Sequence, residues 1–143
     1  MWLMRVVATR SSGVGVLYVI TGIIGLLFLF FGSHEIYYLI IGLVLTLISF
    51  FIVIDYFRTP GIPIMINEQN ELILHDGIII KPDEILDVSY RKATARGLQY
   101  HWGKVTIKTK KETYIYGYIN DCEDVCMDIT KIMYQHKDVS KLD

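Results

Sequence analysis

Between residues 14 and 54 the sequence has no lysine, arginine or aspartate, and apart from tyrosines its only ionisable side chains are His34 and Glu35. That absence argues against a chain that is water-soluble throughout, because two adjacent charge-free runs of this length are rare in soluble folds. It also excludes a proton relay or ion pathway, which needs charged side chains deep in the apolar runs. Cysteine is scarce: Cys122 and Cys126 are the only two. They are four residues apart and share a helix face, where a metal site would need two further ligands that the sequence does not offer. A cytoplasmic location argues against a disulfide. Cys126 reads as a packing residue and Cys122 as a partly exposed one. No Ser-His-Asp arrangement, glycine-rich phosphate loop, H-E-x-x-H or paired C-x-x-C is present, so neither an enzyme nor a cofactor is expected. His75 and His101 have no carboxylate or nucleophile at motif spacing. His34 and Glu35 could form an external metal or proton site, but a three-residue turn that has to reach water explains the pair with fewer assumptions.

What is present explains the positive mean hydropathy of +0.39. Residues 14–32 and 36–54 are two apolar runs of 19 residues each. At about 1.5 Å per residue, each helix nearly covers the ~30 Å hydrocarbon core of a bilayer. Only Ser33, His34 and Glu35 separate them, so the spans must be antiparallel neighbours. Backbone amides cannot stay unpaired in lipid, which leaves helix as the expected state. A signal peptide is the rival for the first run. It fits poorly, because no A-x-A-like site follows and a second span comes at once. A buried core hairpin is the other rival.

Arg5 and Arg10 precede the first run, Arg58 follows the second, and the intervening turn has no lysine or arginine. The positive-inside rule then predicts a multi-pass membrane protein with both termini cytoplasmic. Tyr37 and Tyr38 fall at the outer end of the second span, and Tyr56 and Phe57 at its inner end. Trp2, Leu3, Met4, Val6 and Val7 predict an N-terminal segment, residues 1–13, lying along the inner surface. Small residues make two patches, Thr21, Gly22 and Gly25, and Gly42, Thr46 and Ser49, which are expected to pack helix on helix. Packing within the hairpin is the simplest use; homodimerisation is the alternative.

Past the hairpin (residues 14–57) the chain becomes charged and rich in turns, and residues 58–137 read as one domain with a tail at 138–143. Thr59-Pro60-Gly61 and Pro63 end the second helix. Strands are expected at residues 62–67, 72–75, 78–81, 85–92, 104–110 and 113–119, with a seventh if residues 99–102 form one. Asp76-Gly77 is a hairpin signal, Pro82-Asp83-Glu84 a turn, and residues 94–98 a loop. In residues 85–92, Leu86, Val88 and Tyr90 alternate with Asp87, Ser89 and Arg91; in the next strand Val105, Ile107 and Thr109 face inward. Tyr114, Tyr116 and Tyr118 are expected on one face. Residues 121–136 predict a helix, capped by Asn120 or Asp121, with Glu123 and Asp124 in its first turn and Lys137 near its end. Its apolar stripe is Val125, Cys126, Ile129, Ile132, Met133 and His136.

Seven basic residues run from 91 to 111 with no acid between them: Arg91, Lys92, Arg96, Lys104, Lys108, Lys110 and Lys111. Tyr100, His101 and Trp102 lie within this segment, whereas residues 59–90 carry six acids against one lysine. One reading is a binding surface for anionic lipid headgroups or an acidic partner, built from those seven residues with Tyr100 and Trp102. The other is a solvated strand face, as the alternation of Lys104, Lys108 and Lys110 allows. Nucleic acid is not expected, since the net charge is −1 and the chain is membrane-bound.

The order of elements, the hairpin at residues 72–81, the segment Lys81-Pro82-Asp83-Glu84-Ile85-Leu86-Asp87-Val88, residues 103–109 and the final helix together resemble the bacterial pleckstrin-homology-like (PH-like) domains found at the cytoplasmic end of short membrane hairpins. An OB-type barrel is the rival fold, but it does not usually end in a capped amphipathic helix. The resemblance implies an α+β chain: a two-helix transmembrane hairpin, then a PH-like antiparallel β-sandwich or barrel of six or seven strands with one C-terminal amphipathic helix. It implies a non-enzymatic binding module whose partners are the bilayer, anionic headgroups, a peptide or a membrane protein. Some small proteins of this layout give self-immunity against membrane-active leaderless bacteriocins, and that is the most concrete function expected. The alternatives are an accessory subunit of a larger membrane complex and a peripheral binder of anionic lipid headgroups. A holin-like pore former is disfavoured by the long folded domain.

Overall fold

The computed structural model describes residues 3–32 and 34–141. Trp2, Ser33 of the expected turn and the last two residues of the expected tail lie outside the described residues. The chain is α+β and divides into two units, residues 11–58 and the remainder.

The first unit is a helical hairpin of α1 (Ser12–Phe31) and α2 (Ile36–Arg58). Both helices are long and apolar enough to cross a membrane, and little of either is buried. A core helix of a soluble protein would be mostly buried, so this hairpin is compatible with membrane anchoring. The buried positions of α1 and α2 include Gly15, Gly25, Gly42 and Ser49. A Cβ on Gly25 would lie 2.6 Å from Thr46 Oγ1 and 2.9 Å from the Thr46 backbone nitrogen. One on Gly42 would lie 2.9 Å from the Gly25 carbonyl oxygen, and one on Gly22 would lie 3.3 Å from Ser49 Cβ. The two backbones therefore approach as closely as glycine permits, which maximises van der Waals contact between the helices. Thr46 and Thr21 donate their hydroxyls to the carbonyls of Gly42 (2.8 Å) and Leu17 (2.9 Å), one turn back. Near the turn, Phe28 and Tyr38 stack at 6.0 Å.

Among the described residues, the second unit holds seven strands in two antiparallel sheets. One sheet has the order β1 (Arg5–Ala8), β2 (Ile64–Ile66), β3 (Leu72–Leu74), β4 (Ile79–Ile80); the other is β5 (Ile85–Ala95), β6 (Leu98–Thr109), β7 (Thr113–Ile119). The helix α3 (Cys122–Val139) follows. Ala8, Ile64, Leu72, Leu74 and Ile80 from the first sheet meet Val105, Ile107, Tyr116 and Ile119 from the second, and Val125, Ile129, Ile132 and Met133 of α3 complete this single core.

The strand set differs from the one expected. Residues 5–8 are not a separate surface segment but β1, which pairs Arg5 with Ile66 and Ala8 with Ile64. The following residues tie the two sheets together: the Asn120 amide donates to the Thr9 carbonyl at 2.8 Å, and Arg10 bridges Ile119. The helical hairpin is thus an insertion between two neighbouring strands. Residues 99–102 are part of β6 rather than a strand of their own, and residues 94–98 are a tight hairpin turn rather than a loop. The Asp76-Gly77 turn is present, with Gly77 at φ 78° and the Leu74 amide donating to Ile78 at 2.9 Å.

The apolar stripe of α3 is buried as far as Met133, while His136 is exposed. Asp121 stands at the N-cap with φ 46°, but its side chain makes no capping bond. Cys122 is fully buried, contrary to the expected partial exposure, because α3 begins where its first turn is pressed against the core. Both cysteines are free thiols, and burial raises their pKa values.

Candidate binding surface

Strands β5 and β6 are longer than β7, which pairs with β6 only from Gly103 to Lys108. Beyond that limit the β5–β6 pair continues as a two-stranded ribbon, closed by Ala95 opposite Leu98. Its turn is Arg96-Gly97 with φ 49° and 82°. Positive φ at both central residues is the type I′ geometry, whose twist matches the flanking strands. Arginine in the left-handed region costs about 1 kcal/mol that asparagine or glycine would largely avoid.

Two irregularities shape the root of the ribbon. Register shifts between Lys92 and Thr94, so Ala93 alone opposes Tyr100, His101 and Trp102. On the other side of β6, register shifts between Gly103 and Val105, where β7 carries the extra residue. Tyr118 absorbs that shift in the left-handed region at φ 55°. A bulge re-aims a side chain, and Tyr118 accordingly leaves the face of Tyr114 and Tyr116. Its ring stacks on Trp102 at 5.9 Å, and Trp102 in turn meets Tyr100 at 6.0 Å. Three aromatic rings thus form a ladder. Gly103 makes the close approach possible: a Cβ there would lie 2.8 Å from Lys92 Cα and closer still to the Arg91 carbonyl oxygen.

Alternation places Lys104 on the face of Trp102, and Arg91 lies directly across from Lys104. Both are exposed. Neither has a carboxylate partner among the described residues. Like charges directly opposed on a sheet are destabilising, so this pair carries a folding cost. Lys108 shares the face but stands opposite Asp87. Ile115 of β7, 58% exposed, lies on it as well.

The expected basic surface is therefore divided. Lys92 lies on the opposite side of β5, facing α3, and forms an ion pair with Glu123. Hydrogen bonding to Glu123 raises the Lys92 pKa against a smaller opposing effect of burial, and the bond from Lys92 lowers that of Glu123. The nearby negative charge of Glu123 raises the Tyr90 hydroxyl. Lys111 reaches Glu84 at 3.7 Å, and the Lys110 amide donates to the Glu84 carbonyl at 3.0 Å. With Lys92 and Lys111 paired to carboxylates, Lys108 opposite Asp87 and Lys110 just past the far end of β6, Arg91, Arg96 and Lys104 are the basic residues grouped with the ladder. On the inner face, burial pushes the Tyr116 hydroxyl up to about 12.

Tyr118 is the member of this surface that strand alternation misses. The signal was present: Tyr118 and Ile119 both follow Gly117, and a buried Ile119 in a strand whose inward positions are 114 and 116 requires a one-residue shift. Thr21, Gly22, Gly25, Gly42 and Thr46 belong to the other unit, the helical hairpin. Among the described residues, no three His, Cys, Asp or Glu side chains come together as a metal site would require. The chain matches no family model, no curated protein and no solved structure.

Proposed function

We propose that this chain is a two-pass protein of the bacterial plasma membrane that presents a PH-like binding domain to the cytoplasm. Its most concrete role is self-immunity against a membrane-active, leaderless bacteriocin. The observation that carries the reading is an exposed aromatic and cationic face on a domain interrupted, between two hydrogen-bonded strands, by a hairpin of membrane length. Because β1 and β2 are neighbours, both ends of the hairpin return to one place. This supports a pair of spans with the domain on a single side of the bilayer. Arg5, Arg10 and Arg58 flank that side, and the region of His34 and Glu35 has no lysine or arginine, which supports the cytoplasmic assignment. Meandering sheets of four and three strands closed by a C-terminal helix support the PH-like reading. Fold alone does not set function, so the immunity role rests on the layout of the chain and is tested by survival.

A sensitive Gram-positive host expressing the chain is challenged with a panel of leaderless bacteriocins. Protection by the full chain, lost in the double variant Arg91→Glu/Lys104→Glu at equal membrane abundance, is the expected result. No protection from any peptide, with the protein verified in the membrane, contradicts the immunity reading and favours an accessory subunit.

A further inference from the structure

The β5–β6 ribbon carries its apolar and aromatic side chains outward where an isolated strand pair would be expected to be polar. Leu98, next to the turn, is 67% exposed, and Tyr100 is 41% exposed. Trp102 is half-buried in its stack. Arg96 stands in the turn itself, and the opposed pair Arg91 and Lys104 follows the ladder on the same face. The sequence along the ribbon is thus an apolar tip, a belt of tryptophan and tyrosine, and then a pair of unneutralised cations.

We infer that the β5–β6 ribbon is a docking arm for the anionic surface of a phospholipid bilayer, with Leu98 at the level of the acyl chains, Tyr100 and Trp102 at the headgroup boundary and Arg91, Arg96 and Lys104 on the phosphates. The inference rests on the membrane-anchored reading given above and adds to it the ligand and the residues that meet it. Tryptophan and tyrosine favour the membrane–water boundary because one edge of the ring is apolar and the other polar. The charge matches: three exposed cations have no carboxylate partner among the described residues, and apposing them to phosphate relieves the Arg91–Lys104 repulsion. The domain's attachment supplies proximity. Both connections to the hairpin are short, from Ala8 to Ser12 on one side and from Arg58 to Ile64 on the other, so an anchored domain never leaves the neighbourhood of the surface. The stacked ring of Tyr118 and the close pass at Gly103 stiffen the root of the arm, which lowers the ordering cost of docking.

The test uses the full chain with Trp2→Phe, so that Trp102 is the only tryptophan. The protein is reconstituted into phosphatidylcholine vesicles with or without phosphatidylglycerol, each containing lipid brominated high on the acyl chain as a short-range quencher. Flotation with the vesicles reports the anchor; quenching and a blue shift of Trp102 report the arm. Each basic residue is expected to favour docking roughly fivefold, so Arg91→Gln/Lys104→Gln should weaken it about 30-fold. That variant removes a like-charge contact, so its melting temperature should not fall. The expected result is flotation in both lipids, with strong quenching only with phosphatidylglycerol, diminished in the double variant and in Leu98→Glu. Flotation without quenching, or quenching indifferent to lipid charge and to the variants, overturns the docking arm and leaves the anchor standing. Failure to float overturns the anchored reading itself.

Discussion

Replacing Gly103 with alanine places a methyl group where the backbone of β5 already lies. The new Cβ would be 2.8 Å from Lys92 Cα and 2.9 Å from the Arg91 carbonyl carbon, against ordinary contacts that begin at 3.4 Å. These neighbours are main-chain atoms, so no side-chain rotation relieves the clash. The strands must part by about 0.6 Å or more, which strains the pairs Arg91–Lys104 and Lys92–Gly103 in an interior that packs as densely as a crystal. Overpacking of this kind costs about 1–3 kcal/mol. Alanine also stiffens the unfolded chain, which offsets roughly 0.4–1 kcal/mol. The net loss is about 1–2 kcal/mol, and at about 4–8 °C per kcal/mol for a domain of this size the melting temperature should fall by roughly 5–15 °C. Thermal unfolding of the full chain in mild detergent, followed by near-ultraviolet circular dichroism, measures it. Gly117→Ala is the internal control, because a Cβ there meets nothing within 4 Å, and it should change stability by less than about 0.5 kcal/mol. If the two variants melt together, the close approach of β5 and β6 at Gly103 is wrong.

In the helical hairpin, a Cβ on Gly22 would lie 3.3 Å from Ser49 Cβ, close to the spacing of a disulfide. Gly22→Cys/Ser49→Cys should therefore cross-link under mild oxidation, and adding Gly25→Leu should abolish the cross-link by forcing α1 from α2; persistent cross-linking, read by thiol-blocking and mass spectrometry, would contradict the packing. Arg96→Asn should raise the melting temperature modestly, because asparagine occupies the left-handed region that the turn requires at about 1 kcal/mol less cost. The pH dependence has two limbs. The Lys92 ammonium holds Glu123 below its ordinary range, so the stability from this pair is present above the unfolded carboxylate pKa and is lost as pH falls through the lower folded value. Glu123→Gln should flatten that acid limb in thermal melts. Tyr116 is raised to about 12, so its contribution is complete below pH ~10 and is lost as pH rises through the folded value; absorbance at alkaline pH should show a late-titrating tyrosine signal that shrinks in Tyr116→Phe.

Much of this architecture is legible wherever a pattern runs long enough to repeat. Two charge-free runs announce the apolar helices, and the stripe from Val125 to Met133 announces α3, because burial on one side imposes a helical period. Val105 and Ile107 alternate cleanly, and they are inward residues of β6. The features that were hidden depend on distant or irregular pairing. Strand β1 has four residues and finds its partner beyond the whole helical hairpin, so neither periodicity nor a turn signal reveals it. The tight turn at Arg96-Gly97 lacks the asparagine or aspartate that marks type I′ turns, and so residues 94–98 read as a loop. The basic run is plain in the composition, but its division is not. Whether a lysine faces outward, like Lys104, or toward α3, like Lys92, depends on strand register and on the bulges opposite Ala93 and at Tyr118. Register also sets Arg91 against Lys104, the contact that turns a charged segment into a candidate surface.

In the proposed topology the chain crosses a bilayer twice with its domain inside. Both native cysteines are buried, so single engineered thiols can report topology in intact cells. His34→Cys, between the spans, and Ser140→Cys, at the end of α3, are each treated with a membrane-impermeant maleimide. In this topology position 34 is labelled from outside the cell and position 140 only after permeabilisation. Labelling of position 140 in intact cells, or of neither position before lysis, would contradict it.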